Sequence, residues 1–178
     1  MEKEFLEIFP EGLITYFPSM DGGYMRIGRD YTNCLVFEHL SENEKRAIER
    51  GEIDLGSMNA IALEKAKRDV KLQFEVTKEL GLDHVELDGD SPNPYLDMGS
   101  EERKEIRELA DSYGLTLSLH LPYSYVGGSI CAPQGSDRRI AVELHKQCIQ
   151  FAADIGAKYV NVHPGSAPFY QRIGRYKE

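Results

Sequence analysis

The sequence predicts an α/β fold in which a parallel sheet is assembled from repeated helix–strand units. Three observations carry that prediction. An amphipathic helix, a glycine and a short alternating strand recur three times, with the glycines at Gly81, Gly114 and Gly156. The strands of these units set apolar residues against polar ones with a period of two. The 178 residues are 41% hydrophobic and 29% charged, which suits one globular domain with a buried core and excludes a disordered, collagenous or disulfide-stapled chain.

Within that domain, residues 1–55 form an N-terminal segment of weak pattern and residues 56–170 carry the repeats. Leu13–Phe17, Tyr24–Ile27 and Cys34–Phe37 each have strand character, with turn signals at Pro18, Gly22-Gly23 and Asn33 between them. Tyr24–Gly28 is the segment expected to open the sheet. Ser41–Arg50 is charged, with Ala47 and Ile48 its only apolar residues, and reads as an exposed helix. In the first repeat Leu63, Ala66, Val70, Phe74 and Leu80 recur at helical spacing and Gly81 stands where a left-handed cap would end the helix. Strand His84–Asp88 follows.

The second helix is expected to start at a capping Ser100, with Glu101 and Glu102 favouring its positive end and Ile106, Leu109, Ala110 and Tyr113 as its apolar stripe. Gly114 leads into Leu115–Leu121. The third helix begins near Asp137 and carries Ile140, Ala141, Leu144, Cys148, Phe151, Ala152 and Ile155 before Gly156 and the strand Lys158–His163. Helix alternating with strand at this spacing implies βαβ units. The tail Gln171–Glu178 offers no core pattern.

Lys and Arg total 21 against 30 Asp and Glu, a formal charge of −9, so the chain lacks the broad basic footprint of nucleic-acid or anionic-lipid binders, although a local patch stays open. Cys34, Cys131 and Cys148 form neither a CxxC pair nor a secreted disulfide framework. With no signal-peptide pattern and no apolar run of about 18 residues, a cytoplasmic location without membrane attachment is the expectation.

Alternation decides where chemistry is expected. Leu115, Leu117, Leu119 and Leu121 share one face of their strand, while Thr116, Ser118 and His120 share the other. Likewise Val85 and Leu87 oppose His84, Glu86 and Asp88, and Val160 and Val162 oppose Tyr159, Asn161 and His163. A sheet covered on both faces would be apolar on both. Glu86, His120 and His163 therefore point to one shared space near the C-terminal strand ends, where parallel α/β folds place their sites. Two imidazoles and a carboxylate are a donor set for a divalent ion of the Zn or Mn type. The plainer alternative is a pair of structural or merely solvated histidines, with Glu86 capping a loop or pairing with a lysine. Asp88-Gly-Asp90 and Ser91-Pro-Asn-Pro94 read as turn chemistry. His39, His84 and His145 carry no assigned role, His145 being expected on a solvated helix face beside Lys146. No phosphate loop, dinucleotide fingerprint or Ser-His-Asp pattern is present.

Ser118-Leu-His-Leu-Pro-Tyr123 and Val160-Asn-Val-His-Pro-Gly-Ser166 resemble the xylose-isomerase-like TIM-barrel superfamily, which includes endonuclease IV and many sugar-phosphate isomerases and epimerases. The match continues through Arg138 or Arg139 and Ala152–Ala157, Val85-Glu-Leu87 resembles the second strand, and the whole spans roughly residues 60–167. The resemblance implies a partial TIM-type barrel of about four βα units. The superfamily's endonuclease IV-like members imply His120 and His163 as metal ligands, whereas its sugar epimerases keep similar histidines near the substrate and take their metal mainly from later strands. Glu86 is a further metal candidate from its place on the polar face, and Tyr123, Asn161 and Ser166 are expected to line the substrate pocket.

The expected activity is metal-assisted proton transfer on a keto sugar or sugar phosphate, as in the isomerases and epimerases. Alternatives are an endonuclease IV-like apurinic-site endonuclease, with nucleic acid the less favoured partner, and a non-catalytic half-barrel binding or assembly protein. The later strands that carry the family's remaining ligands and acid–base carboxylates have no counterpart in the sequence. A truncated gene is the first explanation, ahead of a homo-oligomer that completes the barrel and a diverged non-catalytic chain.

Overall fold

The computed structural model describes residues 14–17, 26–29 and 39–165, with side chains described from residue 39 onward except Leu55. Five strands form one sheet in the order β1 (Ile14–Phe17), β2 (Arg26–Arg29), β3 (His84–Asp88), β4 (Thr116–His120) and β5 (Tyr159–Asn161). β1 is antiparallel to β2, and each later neighbour is parallel. Strands that follow one another in both sequence and space are the connectivity of a barrel of βα units, whereas a doubly wound sheet reverses its order partway. The fold is thus α/β, a partial TIM-type barrel with four parallel strands. The segment expected to open the sheet is a strand from Arg26 but the second one, because Ile14–Phe17 pairs antiparallel with it as β1 and takes the edge. The expected strand Cys34–Phe37 and the tail Gln171–Glu178 lie outside the described residues.

Helices α1 (Glu42–Glu49), α2 (Leu55–Arg68), α3 (Val70–Glu79), α4 (Ser100–Tyr113) and α5 (Gly135–Asp154) accompany the sheet, with short 3₁₀ turns at Pro94–Asp97 and Gly127–Cys131. α1 is capped by Ser41, whose hydroxyl accepts from the Glu44 N–H while the Glu44 carboxylate accepts from the Ser41 N–H. Nothing in α1 is buried, as its charge pattern implies. Gly81, Gly114 and Gly156 adopt φ of +70°, +64° and +74°, the left-handed conformation that ends each repeat helix at little steric cost.

One core fills the space between the helices and the sheet. Val70 and Phe74 of α3, Ile106 and Ala110 of α4, and Cys148, Phe151 and Ala152 of α5 pack with Val85, Leu87, Leu117 and Leu119 of the strands. Tyr95 stacks on Phe151 with ring centroids 5.0 Å apart, and the Arg103 guanidinium lies over the same ring at 5.5 Å. Among the described residues no helix is long and apolar enough to cross a membrane.

Four expectations are corrected here. The first repeat helix is two helices, because Asp69 leaves the helical region (φ −85°, ψ 60°) and its carboxylate recaps the chain by accepting from the Leu72 N–H. The break lets Lys67 of α2 point inward while α3 follows the sheet. Ser100 is the first helical residue of α4 rather than its cap; the cap is Gly99, whose N–H donates to Glu102 Oε2 at 2.8 Å. His145 is buried instead of solvated, with Nδ1 2.7 Å from the Ala141 carbonyl. Val160 and Val162, expected on the apolar face of their strand, are 39% and 58% exposed, so that face of β5 is covered only in part.

Candidate active site at the strand ends

Register brings the polar residues into line. Asp88 of β3 pairs with His120 of β4, which pairs with Asn161 of β5. His163 lies two residues past β5. The Leu121 N–H donates to the Asn161 carbonyl at 2.8 Å, which keeps the two strand ends level. As a result the Nε2 atoms of His120 and His163 lie 3.1 Å apart and their ring centroids 4.9 Å apart. Tyr123, three residues past the end of β4, sets its ring edge-on to His120 at 5.1 Å and tilted against His163 at 4.9 Å. His163 is exposed, His120 half-buried and Tyr123 open to solvent along one side.

At 3.1 Å one imidazole donates and the other accepts, so the two rings hold complementary tautomers. His120 Nδ1 is buried without a hydrogen-bond partner. A buried bare nitrogen costs less than a buried N–H lacking an acceptor. The network therefore assigns the His120 proton to Nε2, donating to His163 Nε2.

Glu86 occupies a different place. Its buried carboxylate accepts through Oε2 from the Ser118 hydroxyl at 3.2 Å and from the Asn161 side-chain amide. The structure thus brings His120, His163 and Tyr123 together, and joins Glu86 to Asn161 deeper in the polar face. Among the described residues no three of His, Cys, Asp or Glu gather as a metal-holding group. Ser166 lies outside the described residues.

His84 belongs to the Glu86 network although no role was read for it. It is 1% exposed, with Nδ1 2.8 Å from Thr116 Oγ1 and Nε2 2.8 Å from Ser118 Oγ. Thr116 donates its hydroxyl proton to the Asp83 carbonyl and Ser118 donates its own to Glu86. Ser118 thus links the His84 ring to the Glu86 carboxylate. Alternation had already put His84 and Glu86 on one face, which was the available signal. Asp90 and Lys67 were also missed, since a turn aspartate and a helix lysine look ordinary in sequence.

A divalent ion fits the histidine pair in part of its ligand set. Two metal–nitrogen bonds of about 2.0–2.1 Å each can span the 3.1 Å between the Nε2 atoms. The remaining positions would fall to water, substrate or groups other than the described carboxylates and thiols. His120 as a ligand through Nε2 would move its proton to Nδ1, where no acceptor stands.

Singly wound parallel strands, helices on the apolar face and an imidazole pair at the C-terminal strand ends define a TIM-barrel-type α/β protein. The chain matches the xylose isomerase-like TIM barrel family over residues 74–178, more than half its length, and it belongs to that family. No curated protein matches it.

Proposed function

We propose that this chain serves sugar or sugar-phosphate isomerisation or epimerisation, moving a proton between carbons of a keto sugar beside a divalent ion of the Zn or Mn type. The observation that carries the reading is the His120–His163 pair at 3.1 Å with the Tyr123 ring against both. His120 and His163 would hold the ion, which when bound polarises the sugar carbonyl. Tyr123 would wall one side of the sugar and limit access of water to the reacting carbons. Asn161, tethered by Glu86, would present its amide to substrate oxygens, so that Glu86 acts by orienting Asn161. The formal charge of −9 favours a small sugar over a duplex phosphodiester as substrate.

The test is solvent deuterium exchange into a panel of keto sugars and their phosphates with added Zn or Mn, alongside native mass spectrometry for bound ion and subunit number. Exchange that disappears in His120→Ala and His163→Ala is the expected result. No exchange by a folded, metal-loaded sample, or metal-dependent incision of an abasic-site duplex that His163→Ala abolishes, would overturn the sugar reading, the second in favour of endonuclease IV-like chemistry.

A further inference from the structure

Asp90 lies two residues past β3, in a stretch that reads as plain turn chemistry, yet its carboxylate is committed to a different loop. Oδ1 accepts from the Tyr123 N–H at 3.1 Å, the Ser124 N–H at 3.1 Å and the Ser124 hydroxyl at 3.0 Å. Bonds to an ionised acceptor are about twice as strong as neutral ones. The backbone of Asp90 is itself held. Its N–H donates to Asp88 Oδ1 at 2.9 Å, and its carbonyl accepts from the Lys67 ammonium at 2.6 Å.

Lys67 is 1% exposed, and it also donates to the Pro92 carbonyl at 2.9 Å and pairs with Asp88 Oδ2 at 3.1 Å. An ammonium has three donors, and here they meet acceptors at the end of β3 and on the loop after it, which offsets the cost of burying the charge. That loop is also tied to β4 directly, since the Gly89 N–H donates to the His120 carbonyl at 2.8 Å.

We infer that Asp90, anchored by Lys67, is a positioning residue that sets Tyr123 against His120 and His163 through the main chain. Asp90 Oδ1 accepts from both the Tyr123 and the Ser124 amide, so the carboxylate holds the loop after β4 where it leaves the strand. The ring of Tyr123 follows its backbone to within 5.1 Å of His120 and 4.9 Å of His163. The inference rests on the proposed site being the histidine pair, but on no reaction there.

The test is the long-range proton–nitrogen spectrum of the histidine rings in the metal-free, full-length chain, where the Tyr123 ring current displaces the His120 and His163 signals. Tyr123→Leu defines the undisplaced positions. Asp90→Ala keeps the Lys67 bond to the residue-90 carbonyl, and is expected to move both histidine signals to the Tyr123→Leu positions while backbone amide dispersion elsewhere persists. Ser124→Ala, which removes one of the three bonds, is expected to leave them near wild type. Histidine signals unchanged in a folded Asp90→Ala protein would overturn the inference. If that variant does not fold, Asp90→Asn decides: a partial displacement in the same direction supports it, and none overturns it. Because substrate and metal are absent from this measurement, failure of the sugar panel and failure of the positioning role are read separately.

Discussion

The Nε2 atoms of His120 and His163 meet at 3.1 Å across 43 residues of chain, one at the end of β4 and the other two residues past β5. If the pair is the ion-holding part of the site, Co(II) added to the protein should give a d–d absorption spectrum of imidazole coordination. His120→Ala and His163→Ala should each abolish it. A wild-type spectrum in either variant would place the ion elsewhere.

Lys67 pairs with Asp88 inside the protein, with side-chain exposures of 1% and 13%. Removing one partner of a buried pair leaves the other charge uncompensated, at a cost of about 3–5 kcal/mol. Urea denaturation of Lys67→Met should show a loss of that size, part of it restored when Asp88→Leu is added. A loss below about 1 kcal/mol would contradict the burial of this pair.

Burial pushes the Cys148 thiol up from its ordinary value of 9.0 to about 11, with the Asn93 amide opposing the shift. A folded-state pKa above the unfolded one gives a contribution that is complete below the unfolded value and is lost as pH rises through the folded value. Thermal stability should therefore decline between about pH 9 and pH 11. Cys148→Ala lowers stability overall through its small cavity but should flatten that decline. An unchanged slope would remove Cys148 as its cause.

Gly89 is packed too closely for any side chain, since an added Cβ would stand 2.7 Å from the His120 carbonyl oxygen. Backbone cannot yield as a flexible side chain can, so Gly89→Ala should cost about 1–3 kcal/mol. Differential scanning calorimetry should read a melting temperature lower by several degrees, about 2–4 °C per kcal/mol for a chain of this size. No change would mean that the loop after β3 moves freely away from β4.

Much of the site was legible because strand alternation is a local property. Leu117 and Leu119 read as core and Ser118 and His120 as the polar face, and the structure keeps that division. The signal failed where partners come from afar. His145 sits among charged neighbours in sequence yet packs inward, and Asp69 looks like any helix-surface aspartate although it ends one helix and caps the next. Glu86 lay on the predicted face, but which polar group it would meet depended on how far β4 and β5 extend beside it.

Local pattern was enough to read the alternating helices and strands, the apolar and polar faces of β3 and β4, the glycines that end the repeat helices, and the family that the strand-end motifs resemble. These follow from residue-by-residue geometry, 3.6 per helical turn and two per strand repeat. Packing in three dimensions set the contact of His163 with His120, the bonds of Glu86 to Asn161 and Ser118, and the bracing of the loop bearing Tyr123 by a helix lysine and a turn aspartate. Such pairings depend on register between strands and on loop paths brought together by packing, and no local pattern in the chain encodes either one.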